Sequence, residues 1–199
     1  MIDIEILLAW GAVYKPASAE EIIFQEGNPC NFYYQLIEGS IRWVNIDESG
    51  KEFIQIMVQP NEPFGILPLF DNEPYAATAI TNTDSLLLRL HQSTFLQMLK
   101  EHPEIHVKFS THLAGMVRNR FSILKAIALN NPEHTISYLL QNFKEKNQHI
   151  CPKCQQLKLT RQQIAGMTGL RVETVIRTMR QMHHKGLIKI KHGKVYLFS

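Results

Sequence analysis

Between Val13 and Leu90 the hydrophobic residues fall into short runs that are separated by turn-forming residues. Runs of β-branched and aromatic side chains predict strands at residues 21–24, 32–37, 41–46, 53–58, 77–80 and 85–90. Residues 47–50 (Asp-Glu-Ser-Gly) have the composition of a hairpin turn between two of these strands. Strands at this spacing indicate a closed or two-sheet β unit.

After His91 the hydrophobic spacing changes to steps of three and four residues, which predicts helices. We expect helices over 91–100 and 133–144, and a long helix over 104–130 with Pro103 in its first turn. An apolar stripe on the long helix consists of Leu113, Val117, Phe121, Leu124 and Ala128. We interpret this stripe as the seam of a coiled-coil dimer, the alternative being packing against its own domain.

The C-terminal forty residues combine two short helices with two strands. Thr160 and Gln163 have the spacing of a capping box at the start of a helix over 161–167. Gly169 suits the following turn, and a second helix over 171–185 places Val175 and Met179 inward. Strands over 187–190 and 195–198 flank a His-Gly turn. This order predicts a helix-turn-helix followed by a β-hairpin wing.

Charge is distributed unevenly along the chain. Residues 1–130 hold nine Lys and Arg against fifteen Asp and Glu, a formal charge of −6. Residues 131–199 hold twelve against three, a formal charge of +9. The asymmetry indicates that only the C-terminal part meets a polyanion. No apolar run approaches the roughly 20 residues of a membrane span, and the N-terminus lacks a signal-peptide pattern, so we expect a cytoplasmic protein without a membrane partner.

The second helix of the helix-turn-helix has side chains suited to the major groove of double-stranded DNA. We expect Arg177 to donate to a guanine and Glu173 to accept from a cytosine. The alternative is a surface ion pair between these two residues, which lie four positions apart. The full set of expected DNA-binding residues, including those placed to hold phosphates, is Thr160, Arg161, Gln162, Arg171, Val172, Glu173, Thr174, Arg177 and Lys194.

Residues 159–165 (Leu-Thr-Arg-Gln-Gln-Ile-Ala) and 173–177 (Glu-Thr-Val-Ile-Arg) resemble the DNA-binding signature of the CRP/FNR regulator superfamily. Residues 23–27 and 36–41 resemble the β-roll turns of that family. The resemblance implies an α+β fold. It consists of an N-terminal β-roll (a double-stranded β-helix) over 1–102, a dimerisation helix over 103–130, and a winged helix-turn-helix over 131–199.

The resemblance also implies that the protein is a transcription regulator that binds an inverted-repeat DNA site as a homodimer. If it is an activator, it is expected to contact RNA polymerase. Cyclic-AMP-binding members carry an arginine where this chain has Val172. The resulting Val-Glu-Thr pattern is more similar to the oxygen-responsive branch, so the preferred half-site is left open.

The expected effector pocket departs from the family pattern. Members that bind cyclic nucleotides carry a glutamate for the ribose and an arginine for the cyclic phosphate. The matching positions here are Gly65, Ile66 and Leu67, and Tyr75, Ala76, Ala77 and Thr78, which lack both groups. A buried phosphate without a cationic partner is costly, so we do not expect cyclic nucleotide binding in the usual mode, and the effector is unknown.

Cys151 and Cys154 form a C-x-x-C motif, with His149 two residues before it. Two thiolates are half of the ligands of a tetrahedral zinc site. The motif could therefore be part of a zinc site, a redox switch or two ordinary reduced cysteines. A redox- or metal-responsive sensor at this motif is the alternative to an effector that binds the β-roll. No cofactor is required. Three cysteines are too few for an iron–sulfur cluster with four cysteine ligands, and the β region has no histidine for a cupin-type metal centre. We therefore expect that the protein is not an enzyme.

Overall fold

The computed structural model describes residues 2–128 and 131–198, and its N-terminal half consists mainly of strands joined by tight turns. The strands are β1 (Val13–Ala17), β2 (Ile22–Phe24), β3 (Phe32–Glu38), β4 (Ile41–Ile46), β5 (Glu52–Val58), β6 (Pro63–Phe64), β7 (Thr78–Thr81) and β8 (Ser85–His91). They form two four-stranded antiparallel sheets with the orders β1-β8-β3-β6 and β2-β7-β4-β5. The α+β fold with an N-terminal β-roll is thereby confirmed.

The core of the β-roll is mainly apolar and aromatic, and four consecutive residues are buried in each of the strands β3 and β7. Leu36, Ile41, Val44 and Leu87 are fully buried. The turn over residues 47–50 forms as expected, since the Gly50 N–H donates to the Asp47 carbonyl over 2.9 Å.

Four helices belong to the first part of the chain: α1 (Ile4–Ala9), α2 (Pro68–Asp71), α3 (Gln92–Glu101) and α4 (Pro103–Ala128). Helix α3 packs on the β-roll through Phe95, whose ring stacks on that of Tyr33 at 4.6 Å. The chain divides into two compact units between Gly115 and Met116, within α4. The predicted end of this helix at Asn130 lies outside the described residues.

The apolar stripe of α4 is largely exposed. Val117, Phe121 and Leu124 are among the most exposed large hydrophobic residues, and Ala128 is also exposed, whereas Leu113 is half-buried. Val107, two heptads before Phe121, is equally exposed and was not among the predicted stripe residues.

The second unit contains α5 (Pro132–Glu145), α6 (Arg161–Thr168), α7 (Val172–His184), β9 (Ile188–Lys191) and β10 (Lys194–Leu197). Asn131 caps α5 by accepting the N–H groups of Glu133 and His134. The Thr135 hydroxyl, which is buried, donates to the Ala126 carbonyl over 2.9 Å and ties α5 to the end of α4. The unit's core includes Ile136, Ile164, Val175 and Met179, all completely buried.

Of the helices in the described chain, none combines the length and the apolar character that a bilayer-crossing segment needs.

Candidate nucleic-acid interface

The start of α6 is fixed by a reciprocal capping box. The Thr160 hydroxyl accepts the Gln163 backbone N–H over 3.1 Å, and the Gln163 side chain accepts the Thr160 N–H over 2.9 Å. This arrangement satisfies two donors that the first turn of a helix leaves unpaired. Arg161 and Gln162 follow directly, Gln162 exposed and Arg161 half-buried, in the first turn of α6. The positive end of the helix dipole favours an anion here.

A three-residue turn joins α6 to α7. Gly169 ends α6 in the left-handed conformation, with a φ of 71°, which is why glycine suits this position. The buried Thr168 hydroxyl donates to the Ile164 carbonyl over 2.7 Å and accepts from the N–H of Leu170 over 3.4 Å. Arg171 is extended and is the N-cap of α7, rather than lying within the helix as predicted. The helix-turn-helix is thereby confirmed.

Helix α7 is strongly amphipathic. Its buried side consists of Val175, Thr178, Met179 and Met182. Glu173 and Arg177 are exposed on the opposite side, and Val172 and Thr174 are partly exposed. Arg180 is exposed three residues beyond Arg177, and its place on the same face could have been found from the helical spacing alone. The first turns of α7 therefore offer a row of hydrogen-bonding side chains to a groove.

The alternative of a surface ion pair between Glu173 and Arg177 is not realised. Both side chains lie in the described part of the chain, and neither forms an ion pair or a side-chain hydrogen bond there. The carboxylate and the guanidinium are thus available to an external partner.

The wing is a tight hairpin in which Lys194 pairs with Lys191. Its turn residues His192 and Gly193 have φ values of 47° and 74°, the pattern of a type I′ turn. Lys194 is exposed as predicted, and Lys189 and Lys191, which were not among the predicted contacts, are exposed on β9. The wing therefore carries three exposed ammonium groups, those of Lys189, Lys191 and Lys194, and each can neutralise a phosphate.

The expected effector pocket is filled with aromatic rings. Tyr75 is buried, and its ring stacks on that of Phe24 with centroids 3.8 Å apart. Together with their ring neighbours they form the aromatic cluster, which comprises Phe24, Tyr34, Trp43, Phe64 and Tyr75. Gly65 is buried in a left-handed conformation directly against it, because a Cβ there would lie 2.6 Å from two carbons of Phe24.

The other pocket residues surround this cluster. The Trp43 indole N–H donates to the Ala77 carbonyl over 2.8 Å, and the Thr78 hydroxyl accepts from the Glu26 N–H over 3.0 Å. Ile66 and Ala77 are buried, whereas Leu67 and Ala76 are exposed. The Tyr75 hydroxyl donates to the Cys30 sulfur over 3.1 Å. Burial of its ring and the neighbouring Cys30 raise the pKa of Tyr75, so its hydroxyl stays neutral.

The three residues of the C-x-x-C region do not form a cluster. His149 is buried against the ring of Phe143, whereas Cys151 is half-buried and Cys154 is exposed. Within residues 2–128 and 131–198, no three His, Cys, Asp or Glu side chains lie close enough to share a metal ion.

Comparisons with known proteins match both the N-terminal and the C-terminal part of the chain to protein families. The family model described as the cyclic nucleotide-binding domain matches residues 14–102, and the Crp-like helix-turn-helix domain matches residues 133–198. The cAMP-activated global transcriptional regulator CRP of Haemophilus influenzae is 27% identical over 178 residues, which cover 88% of this chain and 79% of that protein. The Cyclic AMP receptor protein of Thermus thermophilus is 24% identical over 173 residues, which cover 87% and 78%.

Solved structures share the fold. The c-di-GMP responsive global regulator CLP of Xanthomonas campestris has a TM-score of 0.80 at 20% identity, over 98% of both chains. A variant of CooA from Carboxydothermus hydrogenoformans has a TM-score of 0.78 at 16% identity, over 97% of this chain and 85% of that chain. The two domain models occur in the order of the two units, and together they cover most of the chain. The chain therefore belongs to the CRP/FNR family of transcription regulators, which are not enzymes.

Proposed function

We propose that this regulator binds a specific inverted-repeat site in double-stranded DNA as a homodimer. The observation that carries the proposal is the pair Glu173 and Arg177, which are exposed and unpaired near the start of α7 in a segment with a formal charge of +9. A helix in the major groove reads bases with the residues of its first turns. Arg177 is suited to the O6 and N7 atoms of guanine, and Glu173 to the N4 amino group of cytosine.

The phosphate contacts follow from the neighbouring elements. Thr160, Arg161 and Gln162 surround the first turn of α6, and Lys194 lies at the turn of the wing. Contacts of this kind fix the register of the protein on the duplex without reading its sequence. Arg171 and Thr174 lie at the start of α7, and we assign them to the same DNA-binding surface.

Dimerisation through α4 is supported by the exposure of its apolar side. Phe121 is 70% exposed and Leu124 60%, on a helix that extends over Pro103–Ala128. Such large apolar side chains are costly in water, and a second copy of the same helix buries them as a coiled-coil seam. On an inverted repeat we expect the two α7 helices of a dimer to enter successive major grooves, at half-sites about 34–36 Å apart.

The arrangement of the β-roll favours DNA binding without a cyclic nucleotide. The stretch 75–78, where the family resemblance predicts an arginine for the phosphate, has none, and the ring of Tyr75 in this stretch is part of the aromatic cluster. Ile66 replaces the carboxylate that would hold the ribose, and its side chain is buried. A phosphate introduced here would lose its hydration without gaining a cation.

Selection of bound fragments from a random DNA pool tests this proposal. The purified, reduced protein is used without added ligand, and a Glu173→Ala/Arg177→Ala variant is the control. We expect the wild-type protein to enrich an inverted repeat and the control variant to retain only salt-sensitive, non-specific binding. The base-reading assignment fails if the variant enriches the same repeat, and the ligand-free assignment fails if enrichment appears only after cyclic AMP is added.

A further inference from the structure

The C-x-x-C motif occupies a closed turn between α5 and α6. Ile150 pairs with Leu157, the Cys151 N–H donates to the Gln156 carbonyl, and the Gln155 N–H donates to the Cys151 carbonyl, both over 2.8 Å. Gln155 has a φ of 56°, the left-handed conformation that closes the turn. We call residues 150–157 the thiol hairpin.

The two cysteines of the thiol hairpin lie on one tight turn, which the Gln155 N–H closes onto the Cys151 carbonyl. The backbone N–H of Cys154, the Cys154 thiol and the backbone N–H of Lys153 all donate to the Cys151 sulfur and lower the pKa of the Cys151 thiol. These donors stabilise a thiolate, which is the nucleophilic form of cysteine. Cys154 is exposed and follows Cys151 by the spacing of a resolving cysteine.

The thiol hairpin is hydrogen-bonded to the outer strand of the wing. The Leu157 N–H donates to the Val195 carbonyl over 2.9 Å, and the Leu197 N–H donates to the Gln155 carbonyl over 3.0 Å. Gln156 pairs with Tyr196 between these two bonds. The hairpin is thus an additional strand on β10, and Gln155, which bonds to β10, follows Cys154 directly.

We propose that Cys151 and Cys154 are a redox-active dithiol whose oxidation to a disulfide weakens the contact of the wing with DNA phosphates. The proposal rests on the proposed DNA-binding function. Closing the bond draws Cys154 towards Cys151 and replaces the thiolate that accepts the turn's N–H groups. The displaced residue is adjacent to Gln155, so the strain passes into β10, which begins with Lys194.

The oxidant is a low-molecular-weight disulfide. The Cys151 thiolate attacks one of its sulfurs, breaks the S–S bond and releases one thiolate, which leaves a mixed disulfide on Cys151. The Cys154 thiol then loses its proton to solvent and attacks the Cys151 sulfur, which expels the second thiolate. Two electrons pass from the cysteine pair to the oxidant, one S–S bond is broken and one is formed, and the two released thiolates take up protons.

The test compares reduced and oxidised full-length protein on the same duplex. Protein is equilibrated in buffers of reduced and oxidised glutathione, free thiols are alkylated, and peptide masses locate the disulfide. DNA affinity is then measured against salt concentration. We expect a Cys151–Cys154 disulfide that dithiothreitol reverses. We also expect the slope of log K against log salt to become shallower by about two, one phosphate contact for each wing of a dimer.

Two variants serve as controls. Cys151→Ser/Cys154→Ser should bind DNA equally under reducing and oxidising conditions, whereas Cys30→Ser should behave like the wild-type protein. A disulfide that leaves affinity and salt slope unchanged overturns the proposal, as do stable glutathione adducts without a disulfide, or a zinc ion bound by the pair that prevents oxidation. Failure of the proposed DNA-binding function can be told apart from failure of the redox proposal. In the first case the reduced protein would enrich no inverted repeat, whereas formation of the disulfide could still be measured.

Discussion

The ring of Tyr75 lies parallel to the ring of Phe24, with centroids 3.8 Å apart and 9° between the planes. Gly65 and Tyr75 come from the two stretches where the family resemblance places the contacts to a cyclic nucleotide, so the protein's own side chains occupy that part of the β-roll. Stacked aromatic pairs contribute about 0.5–1.5 kcal/mol beyond the area they bury. The cluster thus stabilises the domain at the place that the family resemblance assigns to ligand contacts.

Truncation of Tyr75 should separate the effect of its ring from that of its hydroxyl. We expect Tyr75→Ala to lower the free energy of unfolding by about 3–5 kcal/mol, because a large buried side chain is replaced by a cavity. Tyr75→Phe keeps the stacking and loses only the hydrogen bond to Cys30, at a cost of about 1 kcal/mol. Urea unfolding of both variants measures the difference, and equal losses would show that stacking contributes little.

Gly65 should tolerate a methyl group much less well than another glycine with similar backbone geometry. Gly65→Ala combines a left-handed φ of 64° with a Cβ 2.6 Å from Phe24, so we expect a loss of about 2–5 kcal/mol. Gly27 has a φ of 81° with nothing within 4 Å of the added Cβ, so Gly27→Ala should cost only about 1–2 kcal/mol. Thermal or chemical unfolding of the pair checks this order, and a larger loss for Gly27→Ala would contradict it.

Arg177 and Lys194 should respond differently to DNA sequence. Arg177→Ala should cost about 1–3 kcal/mol on the selected repeat and relax the base preference at one position. Lys194→Ala should weaken binding to all duplexes alike and reduce the salt slope by about one for each wing. Affinities on the repeat and on a scrambled duplex give both quantities. Equal losses on the two duplexes for Arg177→Ala, or a loss confined to one base pair for Lys194→Ala, would be inconsistent with these roles.

A charge in the apolar side of α4 should dissociate the dimer. Phe121→Glu places two carboxylates against each other in a coiled-coil seam, so we expect a monomer by sedimentation and a large loss of affinity for the full repeat. Arg118→Glu is the matched control, because Arg118 is an exposed, polar residue of the same helix outside the apolar stripe. A variant Phe121→Glu that sediments like the wild-type protein would argue against α4 as the interface.

Stability should fall in mild acid because of His149. Its burial, together with a smaller effect of Lys158, lowers the pKa of this histidine to about 4, below the usual value near 6.5. Between these values the unfolded chain binds a proton that the folded chain does not. The stabilisation is therefore complete above pH 6.5 and is lost as the pH falls towards 4.

The measurement is unfolding by urea at several values of pH, for the wild-type protein and for His149→Gln. The wild-type protein should lose up to about 1.4 kcal/mol more per pH unit than the variant between pH 6 and 4.5. His134→Gln, which removes an exposed histidine of α5, should retain the wild-type slope. If the free energy of unfolding depended on pH in the same way for the wild-type protein and for His149→Gln, His149 would not be the cause of the acid sensitivity.

The sequence was sufficient to predict the repeating strands, the long helix and the helix-turn-helix, because each depends on a local pattern. The capping box at Thr160 and the left-handed turn at Gly169 need only the identity of one or two residues. By contrast, β1 was not predicted, since Pro16 interrupts its pattern. Pro16 is accommodated because β1 lies at the edge of its sheet.

The shortest helices and strands, and the packing within the expected effector pocket, could not be predicted from local sequence patterns. Strand β6 has two residues and helix α2 four, so neither is long enough for its hydrophobic pattern to repeat. The absence of an arginine from residues 75–78 was apparent in the sequence, but the stacking of Tyr75 on Phe24 joins residues 51 positions apart. The connection between the thiol hairpin and β10 is also a long-range pairing. The sequence therefore indicated which groups are missing, and the fold determined what occupies their place.

The pairing of residues 155–157 with β10 also affects how the protein behaves at high concentration. A strand with unpaired N–H and C=O groups is a template for another chain, and short two-stranded ribbons are vulnerable to such addition. Here one side of the ribbon is already covered along β10. On β9 the exposed lysines Lys189 and Lys191 repel a like-charged neighbour. The residues that favour contact with DNA thus also protect the free protein against aggregation by strand addition.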